Sequence, residues 1–433
     1  MSFSLELLSL DQDFKTQIRS VKVKQKKTQY VPNPPKFRVF SIDKKDGVVY
    51  LPIGVFREYL DEFPYSRNEF PKTTLSFCYT LYTKETDPKE RGRDQNVLVK
   101  KAIQKLKKDH TVLISAFTGY GKTSIATYLI CWSKLKAVVI CPNDTLKEQW
   151  KTEILKFTSN KAKVQIVKSN KLDPKADVYI VGPVKASKFT RDDYEDIGIV
   201  VVDEAHMLTR KTFTDTLFRF GPMYLVGLSA TPDRKDGLDG LFSYYFGDSS
   251  NFLVRSEKKP FTVYKYETSY KPEISYTFVR GKTTLDWSKV ITSLAENQER
   301  TQEIAHLAMN FPTNKIIIIC DRNVLAESLF HELERLGDSP ELLIGSKKKW
   351  DKTKRILVTG MKKGGVGLDD ESLDLLILAA DMKDVRQCEG RIRVRNNIVI
   401  DVVDDFISLE RHWKVREKWY ISRGATISSV LPK

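Results

Sequence analysis

Residues Ala116–Thr123 read AFTGYGKT and stand between the apolar run TVLISA (111–116) and a helical segment, Ser124–Ser133. A strand, a glycine-rich turn ending in Lys-Thr and the start of a helix together make a phosphate-binding loop. Gly119 and Gly121 let the backbone turn tightly and present N–H groups to phosphate oxygens. The helix N-terminus adds a potential that favours negative charge. In such a loop Lys122 reaches the β and γ phosphates and Thr123 ligates Mg²⁺, with Tyr120 and Ser124 completing the lining. The usual pattern begins with glycine where this chain has Ala116, a small residue ending a strand. A purely structural turn is the bland alternative, and the flanking strand and helix speak against it.

A second signal follows the run IGIVVV (197–202), which leads into DEAH, Asp203–His206. Folds of this kind place ligands at the carboxyl ends of their strands. There Asp203 would hold Mg²⁺ through water, and Glu204 would orient or deprotonate an attacking water while contributing to the metal shell. Acidic residues after a strand also cap helices. Pairing with Lys122 and Thr123 favours the catalytic reading.

The same strand character recurs around these motifs. TVLISA, AVVIC (137–141), DVYIV (177–181), IGIVVVD (197–203) and YLVGLSA (224–230) are continuous apolar runs rich in β-branched residues. Such runs are parallel strands buried on both faces, and the segments between them have the length of crossover helices. A second set comprises KIIIIC (315–320), ELLIG (341–345), RILVTG (355–360), LDLLILAA (373–380) and NIVIDVV (397–403). The fold class is therefore α/β, with two tandem doubly wound parallel-sheet domains. The boundaries read as 91–250 for the first domain, 251–295 for a hinge with edge strands such as FTVYKYET (261–268), and 296–433 for the second domain.

Residues 1–90 form a small, mainly β accessory domain, with strand-like runs FRVFSI (37–42), VVYLPI (48–53) and TLSFCYTLY (74–82). Ahead of them lie a basic stretch, Lys15 to Lys27, and prolines 32, 34 and 35, which mark an extended linker. The basic stretch is either a tail gripping phosphates or a solvated N-terminus.

Composition limits the classes of partner. The 433-residue chain carries a net charge of +16 with 30% charged residues, and a basic excess of this size points to a polyanion. It has neither an apolar run long enough to span a bilayer nor the flanks of a secretory signal. The five cysteines are scattered without a CxxC pair, which argues against zinc and disulfides and for an intracellular, soluble protein.

Four further stretches stand in order with the loop and the acidic pair: CPNDTLKEQW (141–150), SAT (229–231), RILVTGMKKGGVGLD (355–369) and QCEGRIRVR (387–395). With them the chain resembles the superfamily 2 helicases of the DEAH type over roughly residues 91–425. LSATPDRKDG (228–237) is similar to the branch that includes the XPB helicase, the phage UvsW helicase and the transcript-release helicases of poxviruses and other large DNA viruses. Chain size and the short N-terminal region favour the last group.

The resemblance implies two RecA-like domains, ATP and Mg²⁺ as cofactors, hydrolysis in the cleft between the domains, and translocation along nucleic acid. It favours DNA over RNA and admits a transcription or replication complex as a further partner. An ATP-switched remodelling factor without processive unwinding is the alternative. By position, Gln95 in RGRDQ looks like the glutamine that reads adenine, although Asp94 precedes it where an aromatic is usual. His206, Ser229 and Thr231 would couple the ATP site to the nucleic-acid path, and Thr145 would lie on the strand-binding face. Thr359 and Gly360 end a strand before a glycine-rich loop suited to phosphate contacts.

Gln387 and Arg391 would reach across to the γ-phosphate. The family spaces a second arginine three residues further on, where this chain has Val394. Arg393 or Arg395 then substitutes, with Arg395 favoured, or one arginine acts alone; a plain basic helix face is the bland reading. SKKKWDKTKR (346–355) is either a solvated loop or a strand contact with stacking on Trp350. The stretch 404–424, with Trp413, Trp419 and Tyr420 at helical spacing, reads as a helix packed on the second domain rather than a stacking platform.

Overall fold

Runs such as IVVV (Ile199–Val202) have no polar face, so they form strands only where both sides of a sheet are covered. The computed structural model of the chain shows this twice. It describes residues 2–6, 12–20, 22–24, 36–38, 40–45, 47–52, 54, 70–83, 85–86, 94–117, 119–206, 216–229, 240–255, 260–279, 282–347, 350–361, 364, 370, 372–382, 385–389 and 397–431. The chain divides into two compact units, Met1–Arg255 and Ser256–Lys433.

In the first unit seven parallel strands lie in the order Phe252–Arg255, Thr111–Ala116, Tyr224–Ser229, Ile199–Val202, Ala137–Ile140, Val178–Val181 and Val164–Ile166. Alternation along each strand feeds two cores. Val112, Ile114, Val139, Val201 and Val226 pack on one face. Leu113, Val138, Ile140, Val200 and Leu225 pack on the other. The register pairs Ser115 with Ser229 and Val202 with Gly227, so the loops after these strands leave from one edge of the sheet.

In the second unit seven parallel strands run Glu341–Leu343, Ile356–Gly360, Ile316–Cys320, Leu375–Leu378, Ile398–Val403, Phe261–Glu267 and Ala425–Ser428. Ile316 and Ile318 face one core, and Ile317 and Ile319 the other. The run FTVYKYET lies inside this sheet, paired on one side with Ile398–Val403 and on the other with Ala425–Ser428. The helix Ile407–Ser422 buries Leu409, Trp413, Arg416 and Tyr420 against this unit.

The N-terminal part of the first unit contains a three-stranded antiparallel sheet of Ser2–Glu6, Val48–Pro52 and Ser41–Asp43, and a strand pair, Lys22–Lys24 with Lys36–Arg38. Lys15 and Arg19 sit on a helix, Gln12–Ser20, while prolines 32, 34 and 35 lie outside the described residues. TLSFCYTLY forms no strand. Instead, Cys78 N–H donates to the Phe157 carbonyl, and Leu75 and Leu81 join the core of the first unit. All five cysteines are free thiols, with Cys78 exposed and the other four buried.

Candidate active site

The strand Thr111–Ala116 passes through the loop into the helix Lys122–Ser133. Gly119 (φ +84°) and Gly121 (φ +95°) take the left-handed conformation that lets the chain reverse there. A Cβ on Gly121 would collide with Gln95 Nε2 and come within 2.9 Å of Ser124 Oγ. Lys122 Nζ donates to the Ala116 carbonyl at 2.8 Å and to that of Phe117 at 3.5 Å, so the ammonium already sits over the loop. Ser124 Oγ donates to the Gly121 carbonyl at 2.8 Å. Thr123 is half-buried in the first turn of the helix, whose N-terminal N–H groups point toward the loop.

Gln95 braces the loop from behind. Its side chain is buried, and Nε2 donates to the Tyr120 carbonyl at 2.8 Å and to Ser124 Oγ at 3.3 Å. Its Oε1 accepts from Tyr82 N–H at 3.0 Å. Both amide hydrogens are therefore engaged by the protein, and one lone pair of Oε1 is left for a ligand. Asp94 caps the helix Gln95–Asp109 by accepting from Val97 N–H at 3.0 Å, a role the usual aromatic cannot fill. The Tyr120 hydroxyl donates to the Asp94 carbonyl at 3.0 Å.

Asp203 leaves the end of Ile199–Val202, separated from the loop strand by the strand that ends in Ser229. Its Oδ2 accepts the Trp150 indole N–H at 2.8 Å and its Oδ1 accepts Glu204 N–H at 2.9 Å. Burial, and then the neighbouring Glu204 charge, push the Asp203 carboxyl up to about 6, against the pull of Trp150 and Lys122. Glu204 is a non-glycine residue at φ +51°, and its Oε2 lies 3.2 Å from His206 Nδ1. Left-handed backbone at a bulky residue persists only where surroundings enforce it, and it gathers at functional sites. Ser229 is wholly buried at the end of its strand; Thr231 lies outside the described residues. Thr145 is exposed in the first turn of Asp144–Phe157, a helix capped by Asn143.

These residues fit a nucleoside triphosphate with a divalent cation. The loop supplies N–H groups and an ammonium, and a buried carboxyl raised by a second carboxylate is stabilised when a cation approaches. Thr123 and Asp203 are the side chains that would hold the ion.

The family model described as "Type III restriction enzyme, res subunit" matches residues 90–234. "Putative helicase 161L" of Invertebrate iridescent virus 6 is 32% identical over 412 residues, 88% of this chain and 89% of that protein. The chain belongs to the viral superfamily 2 helicases. "Putative helicase 055L" of Frog virus 3 is 31% identical, over 72% of this chain and 73% of its own length. "Transcript termination protein A18" of Fowlpox virus is 24% identical, over 81% and 83%. Among solved structures, S. cerevisiae Dbp5 bound to RNA and ADP BeF3 has a TM-score of 0.53 at 14% identity, covering 76% of this chain and 88% of that one. The likeness identifies both units as RecA-like. As a member of this family the chain is a helicase-type, ATP-using enzyme acting on nucleic acid.

In the helicase's second unit, Thr359 is buried and its hydroxyl donates to the Leu343 carbonyl at 2.9 Å, with Gly360 next to it at the end of the strand. Gln387 lies on the short helix Arg386–Glu389, whose Gln387 side chain is outside the described residues, as are Arg391, Arg393 and Arg395. Asp381, on the approach to that helix, accepts from Arg416 Nη1 at 3.1 Å and lies 2.6 Å from His412 Nδ1. Trp350 is half-buried on the core with Lys315 Nζ 5.4 Å from its ring centroid.

Trp150, Tyr82 and the Arg416–Asp381 contact did not come out of the sequence as parts of a site. The signal for Trp150 is its indole N–H, which needs an acceptor once buried. The other two are contacts between residues far apart in the chain.

Proposed function

We propose that this helicase is an ATP-driven translocase that tracks along one strand of nucleic acid, DNA in preference to RNA. The observation that carries the reading is that Lys122, Ser229 and Asp203 gather at the carboxyl ends of three neighbouring strands of one sheet. Lys122 would leave its loop carbonyls for the β and γ phosphates, and the N–H groups from Gly119 to Thr123 would orient them. Gln95 would fix the loop's shape and offer its remaining Oε1 lone pair to the base. Thr123 and Asp203 would hold Mg²⁺, which when bound neutralises charge on the transferred phosphoryl group. Glu204 would orient and deprotonate the attacking water, held ready by His206. Gln387 and Arg391, with Arg395 in support, would recognise the γ-phosphate and sense its loss. Thr145 and Gly360 would face the strand, with buried Thr359 fixing the strand end through its bond to the Leu343 carbonyl, and Ser229 with Thr231 would relay the change. No helix among the described residues is long and apolar enough to cross a membrane.

The test is ATP turnover with single-stranded, duplex and forked DNA and with RNA, across salt. Turnover rises with at least one nucleic acid and disappears in Lys122→Ala and Glu204→Gln; unstimulated turnover unchanged in both variants overturns the proposal.

A second reading draws support from the similarity to "Transcript termination protein A18" of Fowlpox virus. The chain would then use ATP to remodel a transcription complex without processive unwinding. Strand displacement measured beside turnover separates the two, because remodelling gives turnover without displacement.

A further inference from the structure

The strands Tyr276–Val279 and Lys282–Leu285 form a two-stranded antiparallel hairpin that joins neither large sheet. The register pairs Tyr276 with Leu285, Thr277 with Thr284 and Phe278 with Thr283. Directly opposed residues share a face. Tyr276, Phe278, Leu285 and Thr283 therefore lie on one side, and Thr277 and Thr284 on the other. Tyr276 is 66% exposed and Phe278 77%, with Ile274 at 55% on the approach.

An isolated strand pair is marginal in water, yet this one is braced at its base. Asp286 N–H donates to the Ser275 carbonyl at 2.8 Å, and Glu273 N–H to Ser293 Oγ at 2.9 Å. The Asp286 side chain caps the helix Trp287–Ala295. A fixed frame thus holds two aromatic rings out in solvent, which marks a binding surface rather than a core.

We propose that this hairpin grips a nucleic-acid base between Tyr276 and Phe278, an inference that rests on the reading of the chain as a nucleic-acid enzyme. Residues two apart on an antiparallel strand are about 6.8 Å apart. That is twice the ~3.4 Å repeat of stacked bases, room for one base between two rings. Stacking of this kind tolerates any sequence, as a translocase requires. In sequence the stretch 271–289 carries Lys271, Arg280, Lys282 and Lys289 against Glu273 and Asp286, a basic excess in a chain of net charge +16; Lys271 lies 3.4 Å from Asp405 and Lys289 3.9 Å from Glu273. The aromatics Trp413 and Tyr420 lie in the core of the second unit, and Trp350 and Trp419 pack against it. Two successive side-chain contacts link the helix after the hairpin to Asp381, ahead of Gln387. Trp287 meets the His412 ring edge-on at 5.1 Å, and His412 Nδ1 lies 2.6 Å from Asp381.

The test uses the full chain and the Tyr276→Ala/Phe278→Ala double variant. Binding of single-stranded DNA and RNA is read by anisotropy, and 5-iodouracil-substituted strands are photocrosslinked and the adducts mapped. The melting temperature of the variant checks its folding. The wild-type adduct is expected on Tyr276 or Phe278, and the double variant is expected to bind about tenfold more weakly. A wild-type chain that binds strands with adducts elsewhere, and a folded variant that binds equally well, overturn the hairpin proposal alone. A wild-type chain that binds neither strand overturns the nucleic-acid reading and the hairpin proposal with it.

Discussion

The Trp150 indole N–H donates to Asp203 Oδ2 at 2.8 Å, tying the helix that follows Asn143 to the acidic pair. The bond fixes the carboxylate's rotamer and stabilises its charged form against burial. Residues that orient a metal-binding carboxylate in this way typically change metal affinity or activity 10- to 100-fold when lost. Trp150→Phe keeps most of the packing and removes the donor. It is expected to raise the Mg²⁺ concentration for half-maximal ATP turnover by about tenfold, with a stability loss of about 1–3 kcal/mol. A Mg²⁺ titration unchanged from wild type would show that Asp203 needs no such support.

Gly121 is constrained twice, by its φ of +95° and by Gln95 Nε2, which occupies the space a Cβ would need. Gly121→Ala is therefore expected to cost about 1–3 kcal/mol of stability and to weaken binding of a fluorescent ATP analogue more than tenfold. Combining it with Gln95→Ala removes the clash but not the φ constraint. Full recovery of binding in the double variant would put the whole effect on the clash, contrary to expectation.

Much of this site is legible in the sequence because its residues sit at ends of strands that are continuous apolar runs. IVVV can only be an inner strand, so Asp203 must emerge at an edge. Short strands with polar residues carry no such signal: VQI (Val164–Ile166) and ATIS (Ala425–Ser428) are recognisable only beside their neighbours. TLSFCYTLY has strand propensity, but its backbone groups find partners outside any ladder, Cys78 N–H donating to the Phe157 carbonyl and the Tyr82 carbonyl accepting from Gln95 N–H, and tertiary packing overrides propensity. Trp150 enters the sequence reading only as the last residue of CPNDTLKEQW, where nothing names an acceptor for its indole N–H. Its acceptor lies 53 residues away, a distance over which pattern reasoning has no reach.

Arg416 shows the same limit in the second unit, because an arginine in a helix reads as surface. Here it is 1% exposed and grips Asp401 with two bonds, Nε to Oδ2 and Nη2 to Oδ1, each 2.8 Å. Its Nη1 reaches Asp381, and the Tyr420 hydroxyl donates to Asp401 at 2.9 Å. Removing one partner of a buried pair leaves an uncompensated charge. Arg416→Met is expected to cost about 3–5 kcal/mol in denaturant unfolding, and adding Asp401→Asn to recover part of it. Strict additivity of the two single losses would mean that the pair is not coupled.

Asp321 follows the strand Ile316–Cys320, and burial pushes its carboxyl up from 3.8 to about 6, with Arg300 and Arg322 pulling the other way. The folded state thus holds this proton more tightly than the unfolded state. The stability that protonation contributes is complete below about pH 4 and is lost as pH rises through about 6. Above that pH the buried charge is a standing cost. Asp321→Asn is nearly isosteric and keeps an acceptor oxygen for the Asp381 N–H. At pH 8 it is expected to exceed wild-type stability by about 1–2 kcal/mol, less than the full shift implies because Asp321 is partly exposed. The two stabilities should converge toward pH 4. Denaturant unfolding at a series of pH values reads this directly. Parallel profiles, or an advantage that grows on acidification, would show that Arg300 and Arg322 compensate the charge in full.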